Sequence, residues 1–308
     1  MKILVYGTGV LGSVAAVRLM QSGQDVTVLA RGRRLEDIRR DGIILERYEG
    51  GARTRVCVPA VEMLSPEDAY DLVLVIMGMN QVPAVLPSLA ANRRTPNFLF
   101  IGNSVSGEGL AAALGTRVLR GFLFVAGTTL PGGIVRYAYG ERRKAGWIIG
   151  EPDGSITPRL KEIGPALEKS GMGVELSCSI DAWLKTHAAM IAPLGSGVYI
   201  SGGTPAKLAA DPATAALTVR GLKESLRALR ALGVPLLPKG ALLYLWIPAP
   251  AITYLLRRLL RSEDTAFAFA HADKARPEIR LILDRLMALY RSGGRPLPAL
   301  EELSRSFL

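Results

Sequence analysis

Cysteine and histidine are scarce in this chain of 308 residues, which has two of each. Cys57 and Cys178 form no CxxC pair and no Cys/His ligand set, which argues against a disulfide framework and a structural zinc site and suits a reducing cytoplasm. Aromatic residues make up only 6% of the chain, against 33 glycines and an abundance of Ala and Leu, a balance that favours helices and glycine turns over an all-β sandwich. No serine or cysteine nucleophile motif supports acyl transfer, and no carboxylate cluster suggests a divalent metal. The opening MKILVYGTG has no apolar signal core followed by a cleavage site, so a cytoplasmic location is expected. Long apolar runs are missing too. The best, ALLYLWIPAPAITYLL (241–256), is broken by two prolines and too short for a good membrane span. It reads as two helices meeting at a proline bend, hidden in a core or a subunit interface, which leaves a homodimer open; Arg257, Arg258 and Arg261 beside it give a membrane-surface role less support.

Positive charge is plentiful, with a formal net charge of +11. The cations are scattered as RGRR, RR, ERRK and RRLLR among acidic neighbours, with no zinc finger, RNP motif or aromatic-interleaved basic stripe. A solvated basic surface that also serves small anionic ligands accounts for this pattern better than a nucleic-acid partner or a membrane.

The hydrophobic pattern divides the chain. KILVY (2–6), DVTVLAR (25–31), DLVLVIM (71–77) and NFLFIGN (97–103) are strand-like and alternate with helical stretches such as VLGSVAAVRLMQSG (10–23). Continuous apolar strands separated by helices predict βαβ units in a doubly wound parallel sheet covered on both faces. Further strand-like pieces at 117–126, 134–139, 146–150 and 172–177 and a helix at 156–171 follow. After about residue 180 long Leu/Ala/Arg helices take over, at 182–199, 212–232 and 273–292. The fold class expected is α/β with a C-terminal all-helical domain, divided as 1–178 and 179–308.

GTGVLG places Gly7, Gly9 and Gly12 in G-x-G-x-x-G spacing, directly after one predicted strand and at the start of a predicted helix. Gly7 permits the tight turn, Gly9 lets the backbone approach a pyrophosphate, and Gly12 lets helix pack closely on strand. Thr8, Val10 and Leu11 complete the turn, with the helix N-terminus facing the phosphates. An NAD-type site would put Asp or Glu at the end of the second strand; this chain has Arg31, followed by Arg33 and Arg34. A guanidinium there suits a 2′-phosphate, so NADPH/NADP is the cofactor expected.

A Rossmann domain followed by a helical domain opening on W-x-K resembles the ketopantoate reductase (2-dehydropantoate 2-reductase) family. The likeness is best in the first 45 residues, in IIGEPDG (148–154) and around WLK (183–185). The resemblance implies hydride transfer from NADPH to the C2 carbonyl of a small 2-oxo acid, giving a 2-hydroxy acid on the pantothenate route. It also implies that Lys185 donates the proton, that Asn103 lies near nicotinamide and substrate, and that Gln81 and Glu278 lie near the cofactor. Departures are as informative. Gly78 stands where the family usually has a lysine, and Ala189 and Ala192 stand where it has substrate-holding asparagines; a serine that precedes the late glutamate falls near Ala266. The cofactor half of the pattern is kept and the substrate half is thinned, so the identity of the 2-oxo acid is open. A non-catalytic NADP(H)-binding protein on the same fold is the alternative.

Read physically, Lys185 sits in the otherwise apolar DAWLKTHAAMIAPLG (181–195) and shares a helix face with Ala188, Ala189 and Ala192. Three small residues leave space above the lysine, either for a ligand or for close helix packing. A partly desolvated lysine can hydrogen-bond a carbonyl oxygen, stabilise developing negative charge and deliver a proton. His187, two residues on, points elsewhere on the helix and reads as a packing or surface histidine, as does His271.

Overall fold

The computed structural model describes residues 1–107, 109–139, 146–268 and 272–307; His271 lies outside them. Chain packing separates two units, Met1–Gly102 with Gly107–Ile180, and Asn103–Ser106 with Asp181–Leu308.

The first unit runs β1 (Lys2–Tyr6), α1 (Val10–Gln21), β2 (Asp25–Leu29), α2 (Gly32–Asp41), β3 (Ile43–Arg47), β4 (Thr54–Val56), β5 (Ala60–Val61), β6 (Leu72–Ile76), α3 (Val82–Ala91), β7 (Phe98–Ile101), α4 (Leu110–Leu114), β8 (Val118–Leu123), β9 (Ala126–Thr129), β10 (Val135–Ala138), β11 (Trp147–Gly150), α5 (Pro158–Glu168) and β12 (Val174–Leu176). Eight strands form one sheet in the order β12-β11-β8-β7-β6-β1-β2-β5. All neighbours are parallel except β11, which runs antiparallel to β8. Alternation decides the two faces. Ile3, Val5, Leu72, Leu74, Leu99 and Ile101 pack with α1, α2 and α5, while Leu4, Tyr6, Val73, Val75, Phe98 and Phe100 pack with α3 and α4. Both faces are apolar and covered, the condition for a parallel doubly wound sheet. Strand order reverses between β1 and β6, and the crevice beyond their carboxyl ends is where such sheets take ligands.

The strand-like piece at 134–139 does not join this sheet. As β10 it pairs with β3 and β9, and β3 with β4, in a separate four-stranded sheet that the sequence pattern did not foretell.

The second unit is helical: α6 (Ile180–Ile200), α7 (Pro205–Ala210), α8 (Pro212–Ala231), α9 (Leu243–Trp246), α10 (Ala249–Leu259), α11 (Glu263–Ala268), α12 (Ala272–Arg291) and α13 (Pro298–Ser306). Its helix starts are locally encoded. Thr204 and Asp211 cap α7 and α8 by accepting from the amides of Lys207 and Thr214, each with proline in the first turn. The α13 start is capped instead from a distance, by the Glu224 carboxylate of α8 accepting from the Ala299 and Leu300 amides at 3.0 Å. Glycines let α6 approach its neighbours: a Cβ at Gly197 would meet Thr218 Oγ1 of α8 at 2.0 Å, and one at Gly195 would meet Ile279 of α12 at 3.0 Å.

The apolar 241–256 stretch does form two helical segments, bent by 119°. It is not hidden in a core of the chain. Leu243 and Trp246 of α9 and Tyr254, Leu255 and Leu259 of α10 are exposed, while Leu242, Leu245, Ile252 and Leu256 pack inward. Among the described residues no single helix is long and apolar enough to cross a membrane.

Candidate functional site

The turn from β1 into α1 is built around glycines for separable reasons. Gly7 has a φ of +109°, and a Cβ there would lie 2.3 Å from the Ile76 carbonyl oxygen at the end of β6. At Gly12 a Cβ would lie 1.9 Å from the Gly7 carbonyl oxygen, so any side chain would drive α1 off the turn. Gly9 differs: nothing lies within 4 Å of where its Cβ would be. That open space at a helix N-cap is room for a ligand to approach the backbone. No side chain caps α1 and no acidic residue occupies its first turn, so its free amides offer a positive end without a competing anion. Thr8, Val10 and Leu11 are half-buried in this turn, and the Thr8 carbonyl accepts from the Ser13 hydroxyl at 3.1 Å.

Arg31 is the exposed N-cap residue of α2, directly beyond β2, and its Nη2 donates to the Tyr6 hydroxyl at 2.8 Å. Tyr6 ends β1, so the guanidinium is held at the carboxyl edge of the sheet, beside the glycine turn. Arg33 is exposed. Arg34 turns inward instead, donating to Ser13 Oγ at 3.1 Å and to the Gly133 carbonyl at 3.0 Å. Burial pushes its pKa down, partly opposed by Asp37. It braces α2 against α1 and the second sheet, a role that sequence spacing did not reveal. Gln81 is exposed at the N-cap of α3, after β6, with its backbone N–H donating to the Gly78 carbonyl at 2.8 Å.

The other three sequence-identified residues belong to the second unit. Asn103 follows β7, yet the short Asn103–Ser106 segment packs with the helices. There its Nδ2 donates to Glu278 Oε1 of α12 at 3.3 Å, bringing together two residues 175 positions apart. Asn103 Oδ1 is buried without a partner. Burial raises the Glu278 pKa, with the Asn103 hydrogen bond pulling the other way. A carboxyl so placed accepts its proton more readily than an exposed one and, once neutral, can donate as well as accept.

Lys185 lies on α6 with 19% of its side chain exposed, and its ammonium forms an ion pair with Asp181 one turn earlier. Neither Asn103 nor Glu278 is hydrogen-bonded to it. Asp181 was not singled out from the sequence, although an acid four residues before a lysine on a helix is a readable signal. The alanines do not clear space above Lys185. Ala188, Ala189 and Ala192 are fully buried in the helical core with Leu226, Leu229 and Ile282, so their small size serves close helix packing. His187 stacks on Trp183 with ring centroids 5.3 Å apart, a packing histidine.

Comparison with known proteins gives a family match over part of the chain and a shared fold over all of it. Residues 3–148 match the family described as ketopantoate reductase PanE/ApbA. The 2-dehydropantoate 2-reductase of Pyrococcus horikoshii is 24% identical over 206 residues, 66% of this chain and 66% of its own length. By sequence, then, the chain spans just under two-thirds of that relative. Among solved structures, the 2-dehydropantoate 2-reductase of Geobacter metallireducens GS-15 superimposes with a TM-score of 0.80 at 19% identity, covering 100% of this chain and 99% of that one. A D-mandelate dehydrogenase solved with NADH and anilino(oxo)acetate gives 0.79 at 16% identity, covering 100% and 97%. Residues 3–148 thus match the ketopantoate reductase PanE/ApbA family model, and over its whole length the chain shares the fold of these solved structures.

Proposed function

We propose that this protein is an NADPH-dependent reductase that converts a small 2-oxo acid to the 2-hydroxy acid, with Lys185 as general acid. The family match makes an oxidoreductase acting on 2-oxo and 2-hydroxy acids the natural class. The observation that carries the reading is the glycine turn: two positions closed to any side chain flank one that is open, at the point where strand order reverses. The residues present fit a nicotinamide dinucleotide. Gly9 and the uncapped amides of α1 would take its pyrophosphate, Arg31 its 2′-phosphate, and the unpartnered Asn103 Oδ1 is ready to accept from an amide or hydroxyl. Once bound, the cofactor supplies the hydride. Lys185 hydrogen-bonds the substrate carbonyl oxygen and passes it a proton, and Asp181 keeps the ammonium in place. In this reading residues 1–178 are the NADP-binding domain and 179–308 the substrate domain.

Ketopantoate and the 2-oxo acid of mandelate are the two informative substrates, because the family match points to the first and a structural neighbour to the second. The test is a reductase assay with NADPH and with NADH across a panel of 2-oxo acids including both. Turnover with a preference for NADPH supports the proposal, and binding of NADPH without turnover of any 2-oxo acid overturns it in favour of a non-catalytic cofactor-binding protein.

A further inference from the structure

A second site lies in the helical unit and shares no residue with Lys185, Asn103 or Glu278. Three elements converge on a surface pocket of about 450 Å³: Arg227, Arg230 and Ala231 from α8, Leu245 and Trp246 from α9, and Arg295 from the loop before α13. Among the described residues none of the three arginine side chains has an ion-pair or hydrogen-bond partner. Their one nearby acid on α8, Glu224, is committed to capping α13. The positive field is reinforced from within. Lys223 shares the helix face of Arg227 and Arg230, and its buried ammonium donates to the Ile247 carbonyl at 2.6 Å. Burial and the Arg227 charge both push its pKa down, as expected where cations gather without a counter-charge. Trp246 is 78% exposed at the edge of this pocket, an unusual setting for a large flat ring.

Convergent guanidiniums match a phosphate or carboxylate group with several donors each. An exposed indole beside them offers a stacking surface for a planar or apolar body. We propose that Arg227, Arg230, Arg295 and Trp246 form a binding site for a small organic anion, a phosphate ester or carboxylate carrying a planar group. The site does not depend on the reductase assignment.

The test is calorimetric titration of the full chain with phenyl phosphate and with inorganic phosphate. Saturable one-site binding of phenyl phosphate is expected, weakened about tenfold or more in an Arg227→Gln/Arg230→Gln variant. Trp246→Leu should weaken phenyl phosphate about threefold or more while inorganic phosphate changes less than about twofold. Lys185→Ala and Arg258→Gln should leave both unchanged, the first separating this pocket from the reductase site and the second excluding diffuse surface charge. All substituted side chains in the pocket are exposed, and an unchanged melting temperature would show that the fold is kept. Absence of saturable binding, binding indifferent to the double arginine variant, or binding lost in Lys185→Ala would each overturn the proposal. So would a sedimentation result in which this face is buried between two copies of the chain and released by Trp246→Leu.

Discussion

In the proposed reaction a proton donor must wait with its charge in place until the substrate oxygen arrives, and the Lys185–Asp181 pair on one turn of α6 suits that role. Replacing Lys185 by alanine should lower kcat for 2-oxo acid reduction about a hundredfold or more while NADPH still binds, which fluorescence titration of the cofactor can verify. Arg31 carries a different load. Arg31→Ala should reduce kcat/KM for NADPH about tenfold and leave NADH nearly unaffected, so equal losses with both cofactors would remove its phosphate-reading role. At Glu278 the sign is set by burial. Its folded-state pKa lies above the ordinary 4.5, so the folded protein binds more protons than the unfolded chain in the interval above that value. Stability therefore falls as pH rises through that interval, and Glu278→Gln should remove this part of the slope in urea denaturation followed from about pH 4.5 to 7.

At the scale of elements, the β1–α1 turn has two glycine positions that the fold closes and one, Gly9, that it leaves open. Gly9→Ala meets nothing, so the melting temperature should hold while NADPH affinity drops about tenfold or more, as a methyl group occupies the space left for the pyrophosphate. Gly12→Ala would put that methyl 1.9 Å from a carbonyl oxygen and should cost about 1–3 kcal/mol of stability or more, read from urea midpoints. The motif was fully legible in the sequence because its spacing encodes these backbone distances. The alanines of α6 were legible only in part: their smallness was plain, but whether a ligand or a neighbouring helix uses it depends on α8 and α12. Restoring the family residue with Ala192→Asn would bury an amide in a packed core, and a loss of about 1–3 kcal/mol is expected. The second sheet escaped the sequence reading because its strands are three to five residues long and mix charged with apolar residues, so no clear alternation survives.

For the whole molecule, binding of the proposed cofactor would be linked to folding. NADPH at about 100 times its Kd should stabilise the protein by about 2.7 kcal/mol, visible as a rise in melting temperature, with NADH giving less at equal concentration. The basic surface is a whole-chain property as well. The net charge of +11 is spread over both units, and the proposed anion sites at Arg31 and in the α8–α9 pocket would each use a small part of it.

Sequence alone determined the doubly wound sheet, the helical second half, the glycine turn and the position of Arg31 just after β2, because each rests on local periodicity or on spacing within one βαβ unit. Tertiary structure decided the rest. It joined Asn103 to Glu278 across 175 positions and turned Tyr254, Leu255 and Leu259 of α10 outward. Those outcomes depend on which faces meet after the chain has folded, and side-chain spacing along one element carries no record of what lies opposite it.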